Sequence, residues 1–209
     1  MDQQTSRKKT ARLSAKEPRT SRGRATRKKL LDAAALEFGE KGYHDASVSS
    51  ITRRAGTALG SFYTYFDSKD EIFRALVQHM SGEVGRHAAS AMAGAGDALE
   101  REQRALEGFL AFTRSHKEIY RIIDEAEFVD PESYRQHYET VAERIAARLC
   151  TGSEAGEMRE GLGELEAWAL MGMNVFLGLR YGVWSGKDED IAAISARANR
   201  LLRDGVGPR

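Results

Sequence analysis

Apolar residues recur every three or four positions along most of the chain, the spacing that places them on one face of an α-helix. The first such run carries Leu30, Leu31, Ala34, Ala35 and Phe38. Runs of β-branched residues are nearly absent, and the long stretches of Ala, Leu, Glu and Arg favour helix. The pattern therefore predicts an all-α protein with about nine helices.

Capping residues divide the N-terminal part of the chain into three helices. The first begins near Thr26 and ends at Gly42, a residue type that suits the backbone just after a helix. Ser47 is a good N-cap for a second helix, which Gly56 ends. A short third helix over residues 59–66 follows a turn of about three residues. Two such helices joined by a glycine-containing turn and packed on the helix before them are typical of a DNA-reading helix-turn-helix.

The remaining sequence predicts a larger helical body. Ser68 and Glu71 have capping-box spacing and open a long fourth helix. Further amphipathic helices follow, until an apolar pair over residues 164–184 and 188–203 closes the chain.

Charge is distributed unevenly along the chain. Residues 1–29 hold eleven Lys and Arg against two acidic residues, a net charge of +9, whereas the remainder carries −8. A basic segment joined to an acidic body suggests a polyanionic partner for one end only, and a solvated disordered tail is the alternative. Together with the helices, this predicts a flexible basic arm at 1–21, a DNA-binding domain at 22–68 and a C-terminal helical domain at 69–205.

Several features indicate a soluble cytoplasmic protein. Cys150 is the only cysteine, which fits a reducing compartment, and we expect its thiol to be buried and inert. The basic N-terminus lacks the apolar core of a secretory signal. The most apolar window, residues 170–184, is too short and too rich in Gly to span a bilayer. We therefore expect no membrane partner.

The outer face of the short third helix has the side chains of a DNA-reading surface. Hydroxyl and aromatic groups there can bond phosphates or base edges, and small residues near its start allow close approach to a groove. These residues are Ala58, Gly60, Ser61, Tyr63, Thr64 and Tyr65. A purely structural surface would more often carry Lys and Glu.

The same region carries a family resemblance. The matching segments are RATRKKLLDAA at 24–34, Gly42-Tyr43, VSSI at 48–51, Ala55-Gly56 and GSFYTYFDSK at 60–69. Densely over residues 22–77, the sequence closely resembles the TetR family of transcription regulators. It departs from the family at Thr52, where Ala is common, and at Thr57-Ala58, which replaces the usual Val-Ser of the turn. Both departures lie where base preference is tuned.

The resemblance implies roles for individual residues in DNA binding. Tyr63 and Lys69 would contact phosphates, with Lys69 at a helix N-terminus that itself favours anions. The positions facing the major groove would be Ser49, Ala58, Leu59, Ser61, Thr64 and Tyr65.

Other positions would have supporting roles in DNA binding. Ser49 and Ser50 begin the second helix, where they can touch the DNA backbone, Thr57 belongs to the turn, and Gly60 would permit close approach. Arg22 and Arg24 would form an arm that reaches an adjacent minor groove, with non-specific phosphate attraction as the alternative.

The apolar closing helices predict self-association. Residues 170–184 are apolar nearly all round, which requires burial on more than one face. A second copy of the chain is the simplest cover, and burial inside a monomer is the alternative. Two recognition helices related by a two-fold axis would read a palindrome. We therefore expect a homodimer whose interface includes Gly178, Tyr181, Trp184, Ile194 and Leu201.

The resemblance also implies a small-molecule pocket in the C-terminal domain that shifts the DNA-reading heads when filled. Candidate lining residues are Phe109, Phe112, Tyr120, Ile123, Glu127, Phe128, Tyr138, Trp168, Met171 and Asn174. Each residue taken singly is more often plain core. A carboxylate of Glu125 or Glu127 facing inward would favour a cationic ligand, although an exposed ion pair is commoner. We expect a hydrophobic or aromatic effector.

These features predict a sequence-specific transcriptional regulator, a ligand-released repressor that binds a palindromic operator in double-stranded DNA as a homodimer. The sequence has no His pair at metal-ligand spacing, no glycine-rich phosphate loop and no nucleophile elbow. We therefore expect no enzyme activity, no metal and no cofactor. Two other functions stay open: a nucleoid or scaffold protein without sequence preference, and a regulator whose C-terminal domain binds a protein instead of a ligand.

Overall fold

The computed structural model describes residues 18–185 and 189–206, so residues 1–17 of the predicted arm lie outside the described residues. The described residues form nine α-helices and no strand, which confirms the all-α prediction. The helices are α1 (Ser21–Lys41), α2 (Val48–Ala55), α3 (Leu59–Tyr65), α4 (Lys69–Ala91), α5 (Ala98–Ser115), α6 (Glu118–Val129), α7 (Pro131–Glu154), α8 (Glu164–Leu177) and α9 (Ile191–Val206). A π-helical segment, Gly178–Trp184, continues α8.

Helices α1 to α3 form an N-terminal head whose ends are capped by short polar side chains. The Ser47 hydroxyl accepts a bond from the Ser50 amide, and the Ser50 hydroxyl accepts one from the Ser47 amide, each at 3.1 Å. Gly56 ends α2 in the left-handed conformation, with φ of +63°, which glycine adopts without steric cost. Helix, turn and short helix thus follow the predicted helix-turn-helix.

Helix α1 begins at Ser21, five residues before the expected start at Thr26. The reason is the side chain of Thr20, whose Oγ1 accepts a bond from the Gly23 amide at 3.1 Å and caps the helix. Arg22 and Arg24 consequently lie in the first turn of α1 instead of in an extended arm.

The apolar core of the head continues into the body of the protein. Phe38 of α1 packs edge-on against Phe73 of α4, with ring centroids 5.1 Å apart. The same buried cluster includes Ile119 and Ile122 of α6. The predicted boundary after residue 68 therefore falls at the start of α4, a helix whose first turns pack in the head.

Close packing of the π-helical segment on α5 places one predicted interface residue inside the fold. Gly178 is buried, and a Cβ atom there would collide with the ring of Phe109 and the hydroxyl of Tyr120. Ile194 packs partly on an internal cluster that contains Leu106 and Ala198. Gly178 thus belongs to the interior, because the π-helical segment can approach α5 this closely only where its residue has no side chain.

The outer side of α8, the π-helical segment and α9 exposes several large apolar side chains. These are Leu165, Trp168, Phe176, Trp184 and Leu201. Two of them, Trp184 and Leu201, are predicted interface residues, and a third such residue, Tyr181, is half-buried beside them in sequence.

The structure also bears on the cysteine and on the apolar segments of the chain. Cys150 is exposed on α7, so the expectation of a buried thiol is wrong; it is the adjacent Leu149 that faces the core. None of the helices described is both long and apolar enough to cross a membrane.

A buried carboxylate ties the head together. Glu37 of α1 is 2% exposed, and its oxygens accept bonds from Lys41 Nζ at 2.6 Å and Arg54 Nε at 2.7 Å. Burial alone would raise the pKa of Glu37, but the bonds from Lys41, Ser50 and Arg54 outweigh it and lower the pKa to about 2. The charged carboxylate therefore holds α2 against α1.

Replacing Glu37 by Gln should destabilise the head in a pH-dependent way. Because the folded-state pKa lies below the usual 4.5, the carboxylate's contribution is complete above about pH 4.5 and disappears as the pH falls toward 2. We expect Glu37→Gln to cost about 2–3 kcal/mol of unfolding free energy at pH 7. Urea titrations of the wild type and the variant at the same protein concentration, repeated at several pH values across this range, measure the difference in unfolding free energy.

The control for this prediction is Glu40→Gln. Glu40 also pairs with Arg54 but its side chain is about half exposed, so we expect a smaller loss. Equal losses for the two variants, or a Glu37→Gln effect that does not change with pH, would contradict the assigned role of Glu37.

Candidate DNA-reading surface and internal cavity

Helix α3 is anchored by one aromatic side chain and presents its remaining residues outward. Phe62 is fully buried, 5.6 Å from the ring of Phe66. The residues on the outer face of the head are exposed at Ser49, Ala58, Leu59, Gly60, Tyr63 and Thr64, and partly buried at Ser61 and Tyr65. No side chain lies within 4 Å of a Cβ built on Gly60, so this part of the surface is open for a close approach.

Two predicted DNA contacts near the turn are instead directed into the head. Ser50 is 7% exposed, and its hydroxyl donates to the Ser47 carbonyl at 2.9 Å while accepting from the Ser47 amide. The Thr57 hydroxyl is buried and has no hydrogen-bond partner among the described residues. Ser50 is therefore a capping residue, while its neighbour Ser49 points to solvent.

Lys69, a predicted phosphate contact, is bonded inside the head. Its Nζ donates to three backbone carbonyls in the loop between α1 and α2, those of Tyr43 at 2.7 Å, His44 at 3.2 Å and Ala46 at 3.0 Å. It also lies 4.3 Å from the centre of the Tyr43 ring. These contacts satisfy all three ammonium protons, so the side chain connects the start of α4 to the loop.

Basic side chains next to the reading surface include one that the sequence analysis missed. Arg22 and Arg24 are exposed, and Arg24 Nη1 donates to the Arg19 carbonyl at 3.1 Å. Arg53 of α2 is exposed and forms no ion pair among the residues described. Its neighbour Arg54 is bound to Glu37 and Glu40. The sequence alone does not distinguish Arg53 from Arg54. Only the packing of α2 on α1 shows that Arg54 has a structural role and that the charge of Arg53 is available.

The body contains a cavity of about 630 Å³ between α4, α5, α6, α7 and α8. This volume is in the usual range for small-molecule sites. Six of the ten predicted pocket residues line it: Phe109, Tyr120, Ile123, Tyr138, Met171 and Asn174. Exposed lining residues on α4 and α7, among them Ala89 and Ala147, mark an opening between these two helices.

The other four predicted pocket residues lie elsewhere. Phe112 is buried in the core, with its ring between those of His87 and His116. Glu127 and Phe128 are exposed on α6. Trp168 lies on the outer side of α8, at helical spacing from Leu165 and Phe176.

Most of the polar groups in the cavity wall were not predicted from the sequence and are identified only in the structure. The Tyr120 hydroxyl donates to the Val175 carbonyl at 2.6 Å, and burial raises its pKa above the usual range. His137 lines the cavity, and burial together with the charge of Arg144 lowers its pKa to about 4, so the ring is neutral at pH 7. The spacing of His137, Val141 and Arg144 along α7 placed them on one helix face, but that signal does not say what the face covers.

Helix α6 connects this cavity to the head. Ile119, Tyr120 and Ile123 on one side line the cavity. On the other side, Arg121 Nη1 donates to the carbonyls of Gly39 and Glu40 at 3.1 and 3.0 Å, and Glu125 Oε2 accepts from the Tyr43 amide at 2.7 Å. A displacement of α6 by a cavity ligand would therefore reach α1 directly.

Gly42 makes the contact between α6 and the head possible. Its φ is +83°, and a Cβ atom there would lie 2.5 Å from Arg121 Nη2 and 2.7 Å from Glu125 Oε1. The backbone conformation favours glycine, and the absence of a Cβ leaves room for the ends of the Arg121 and Glu125 side chains.

Comparison with known proteins agrees with this arrangement. Residues 30–76 match the model for bacterial regulatory proteins of the tetR family. The chain is 32% identical over 194 residues to the uncharacterised HTH-type transcriptional regulator YdgC of Bacillus subtilis (strain 168), an alignment that covers 90% of this chain and 96% of the relative. The chain belongs to the TetR family. It is therefore a DNA-binding transcriptional regulator.

Solved structures support the TetR fold over most of the chain. FadR from Bacillus subtilis in complex with stearoyl-CoA has a TM-score of 0.71 at 22% identity, covering 85% of this chain and 97% of FadR. A regulator from Saccharomonospora viridis in complex with choline has a TM-score of 0.69 at 20% identity, covering 88% and 98%.

Substitutions at Lys69 and Arg53 should separate a structural cation from a DNA-binding one. Each phosphate contact contributes about 0.9 to the slope of log Kobs against log salt. We expect Arg53→Gln to reduce the slope by about this amount and to leave the melting temperature unchanged. Lys69→Met should lower the melting temperature and weaken binding at every salt concentration with an unchanged slope.

Fluorescence anisotropy on one duplex across a salt series, with Arg135→Gln on α7 as the control, measures these slopes. A reduced slope for Lys69→Met at wild-type stability would show that Lys69 gives up its carbonyl bonds for a phosphate. The role assigned to it here would then be wrong.

Proposed function

We propose that this TetR-family regulator is a repressor that binds a palindromic operator as a homodimer and leaves it when a small molecule fills the cavity. The observation that carries the proposal is the pairing of an outward-facing α3 with a cavity that shares helix α6 with the head. Repression by occluding a promoter needs no further contact surface, which favours a repressor over an activator.

The support for a homodimer is the apolar outer face of α8 and α9. Phe176 is 72% exposed and Leu201 71% exposed. A group of large exposed apolar side chains on adjoining helices is typical of a surface that a partner covers. One seven-residue recognition helix reads few base pairs, whereas two related by a two-fold axis read a palindrome. The proposed interface therefore includes Trp168 together with Trp184 and Leu201, but does not include the buried Gly178.

The support for a ligand is the cavity itself. Its wall is mostly apolar, with Ile123, Val141, Ile145 and Met171 among the lining residues, so a largely apolar effector fits best. The two structural neighbours hold ligands of opposite charge, an acyl-CoA anion and the choline cation. These neighbours therefore support the binding of a ligand in this fold, but they do not indicate whether the ligand of this protein is an anion or a cation.

Release of DNA would follow from differential affinity. A ligand shifts the heads only if it binds better to the arrangement that cannot span the two half-sites. Because α6 lines the cavity and bonds to α1 through Arg121 and Glu125, it is the element whose position both ligand and DNA would sense.

Selection of bound duplexes from a random DNA pool tests the regulator proposal. We expect the wild-type protein to enrich a palindrome at near-physiological salt, and Tyr63→Ala to recover none because it removes a half-exposed ring from the reading surface. Phe128→Ala is the control, since it deletes an exposed aromatic ring outside the head. Binding without enrichment of any sequence would favour a non-specific nucleoid protein.

Equilibrium sedimentation of Phe176→Glu tests the homodimer. A charge placed in an apolar interface has to be desolvated, so we expect the variant to be monomeric at micromolar concentrations where the wild type is dimeric. Leu36→Glu, at an exposed apolar position of α1, should remain a dimer. A monomeric wild-type protein, or an unaffected Phe176→Glu, would contradict the proposed interface.

A further inference from the structure

The cavity opens to solvent between α4 and α7, and three arginines surround the opening. Arg86 comes from α4, and Arg144 and Arg148 come from consecutive turns of α7. Guanidinium groups bind carboxylates and phosphates through paired hydrogen bonds. The entrance to an otherwise apolar cavity is therefore basic.

Two of the three guanidinium groups already have carboxylate partners. Arg148 forms two bonds to Glu102, from Nε at 2.6 Å and from Nη2 at 2.9 Å. Arg86 Nη2 bonds to Glu83 one turn earlier on α4. Arg144 also lines the cavity and forms no ion pair within the described ranges. Its charge is the one left for a ligand to neutralise.

Because Gly85 of α4 has no side chain, the Arg144 side chain of α7 can lie close to α4. A Cβ atom on Gly85 would collide with Arg144 Nη1 and lie 3.0 Å from its Cζ. The guanidinium thus lies directly against the backbone of α4, at the edge of the cavity. This position places the exposed side chain of Arg144 beside α4 at the edge of the cavity.

The wall also contains one acidic side chain, Asp124 of α6. Burial and the nearby charge of Glu127 raise the pKa of Asp124, so its surroundings disfavour a negative charge. Asp124 would suit a cationic ligand, as would the aromatic rings of Tyr120 and Tyr138. Arg86 and Arg148 are matched by Glu83 and Glu102, so the guanidinium of Arg144, unpaired among the residues described, is the group left at the opening for an anionic head group.

We propose that the effector is an amphiphilic anion, an alkyl or acyl chain that fills the cavity and ends in a carboxylate or phosphate bound by Arg144 at the α4–α7 opening. This inference rests on the proposed function, because it names the ligand class of the same cavity. The apolar wall of the cavity contacts the alkyl or acyl chain of the ligand. The charged head group stays partly hydrated at the entrance, where its desolvation cost is lowest.

A series of ligands with one tail and different head groups tests this assignment. Dodecanoate, dodecyl phosphate, dodecanol and dodecyltrimethylammonium are titrated calorimetrically, below their aggregation concentrations, into wild-type protein, Arg144→Gln and Arg135→Gln. Arg135 lies on the same helix, is exposed and is not among the cavity-lining residues. Dodecanoate and dodecyl phosphate distinguish a carboxylate head from a phosphate head.

We expect the wild type to bind at least one of the two anions more tightly than dodecanol or the cation. Arg144→Gln should weaken anion binding by roughly tenfold or more, the effect of losing a charge-assisted bond, and should leave dodecanol binding unchanged. Arg135→Gln should bind like the wild type. Gly85→Ala, which displaces the guanidinium without removing its charge, should weaken anion binding to a smaller extent.

Tightest binding of dodecanol or of the cation, or an equal effect of Arg144→Gln on all four ligands, would overturn the proposal. So would the absence of binding by both anions. Operator release, measured in parallel by fluorescence anisotropy, separates this inference from the proposed function. Release by dodecanol or the cation alone would refute the anion site and leave ligand-released repression standing, whereas tight anion binding without release would do the reverse.

Discussion

The packing of α6 between two sets of neighbours is the constraint on which the rest of the structure depends. Ile119 and Ile122 belong to the same buried cluster as Phe38 and Phe73 of the head, while Tyr120 and Ile123 line the cavity. Because packed interiors do not deform continuously, α6 cannot move on its cavity side without altering its contacts with α1. The head and the cavity are therefore mechanically one unit, although the sequence divides them into two domains.

Polar contacts in the head both stabilise it and fix the positions of its helices. The Glu37 carboxylate holds α2 to α1 through Arg54, and the Lys69 ammonium holds the start of α4 to the α1–α2 loop through three carbonyls. Both groups are directed inward, where a charge is tolerated only if it is fully bonded. Their bonds orient α3, which is only seven residues long and has a single fully buried side chain, Phe62.

The distribution of glycine follows the close approaches in the body. Gly178 lets the π-helical segment pack on Phe109 and Tyr120, and Gly85 lets Arg144 lie against α4. A π-helical segment is uncommon and often occurs beside functional sites. Here it lies next to the cavity wall, since Asn174 and Val175 of α8 line the cavity just before it begins.

Helix positions and the family could be predicted from the sequence because they depend on local signals. Ser47 and Gly56 bound α2 through their own backbone and side-chain bonds, and the run from Gly60 to Lys69 identifies the TetR head by residue identity alone. Six of the residues that line the cavity could be predicted in the same way, since the aromatic and apolar residues of α5 to α8 have to face inward somewhere.

Only the tertiary structure decided which way individual side chains point, because that depends on neighbours distant in sequence. Ser49 and Ser50 are adjacent and alike, yet one faces solvent and the other caps α2. Trp168 and Met171 share a helix, but the neighbours of α8 bury one and leave the other outside. Arg53 and Arg54 are adjacent and alike, but only Arg54 lies within reach of Glu37 and Glu40 on α1. Sequence periodicity determined that a helix has two faces, and long-range packing determined what each face meets.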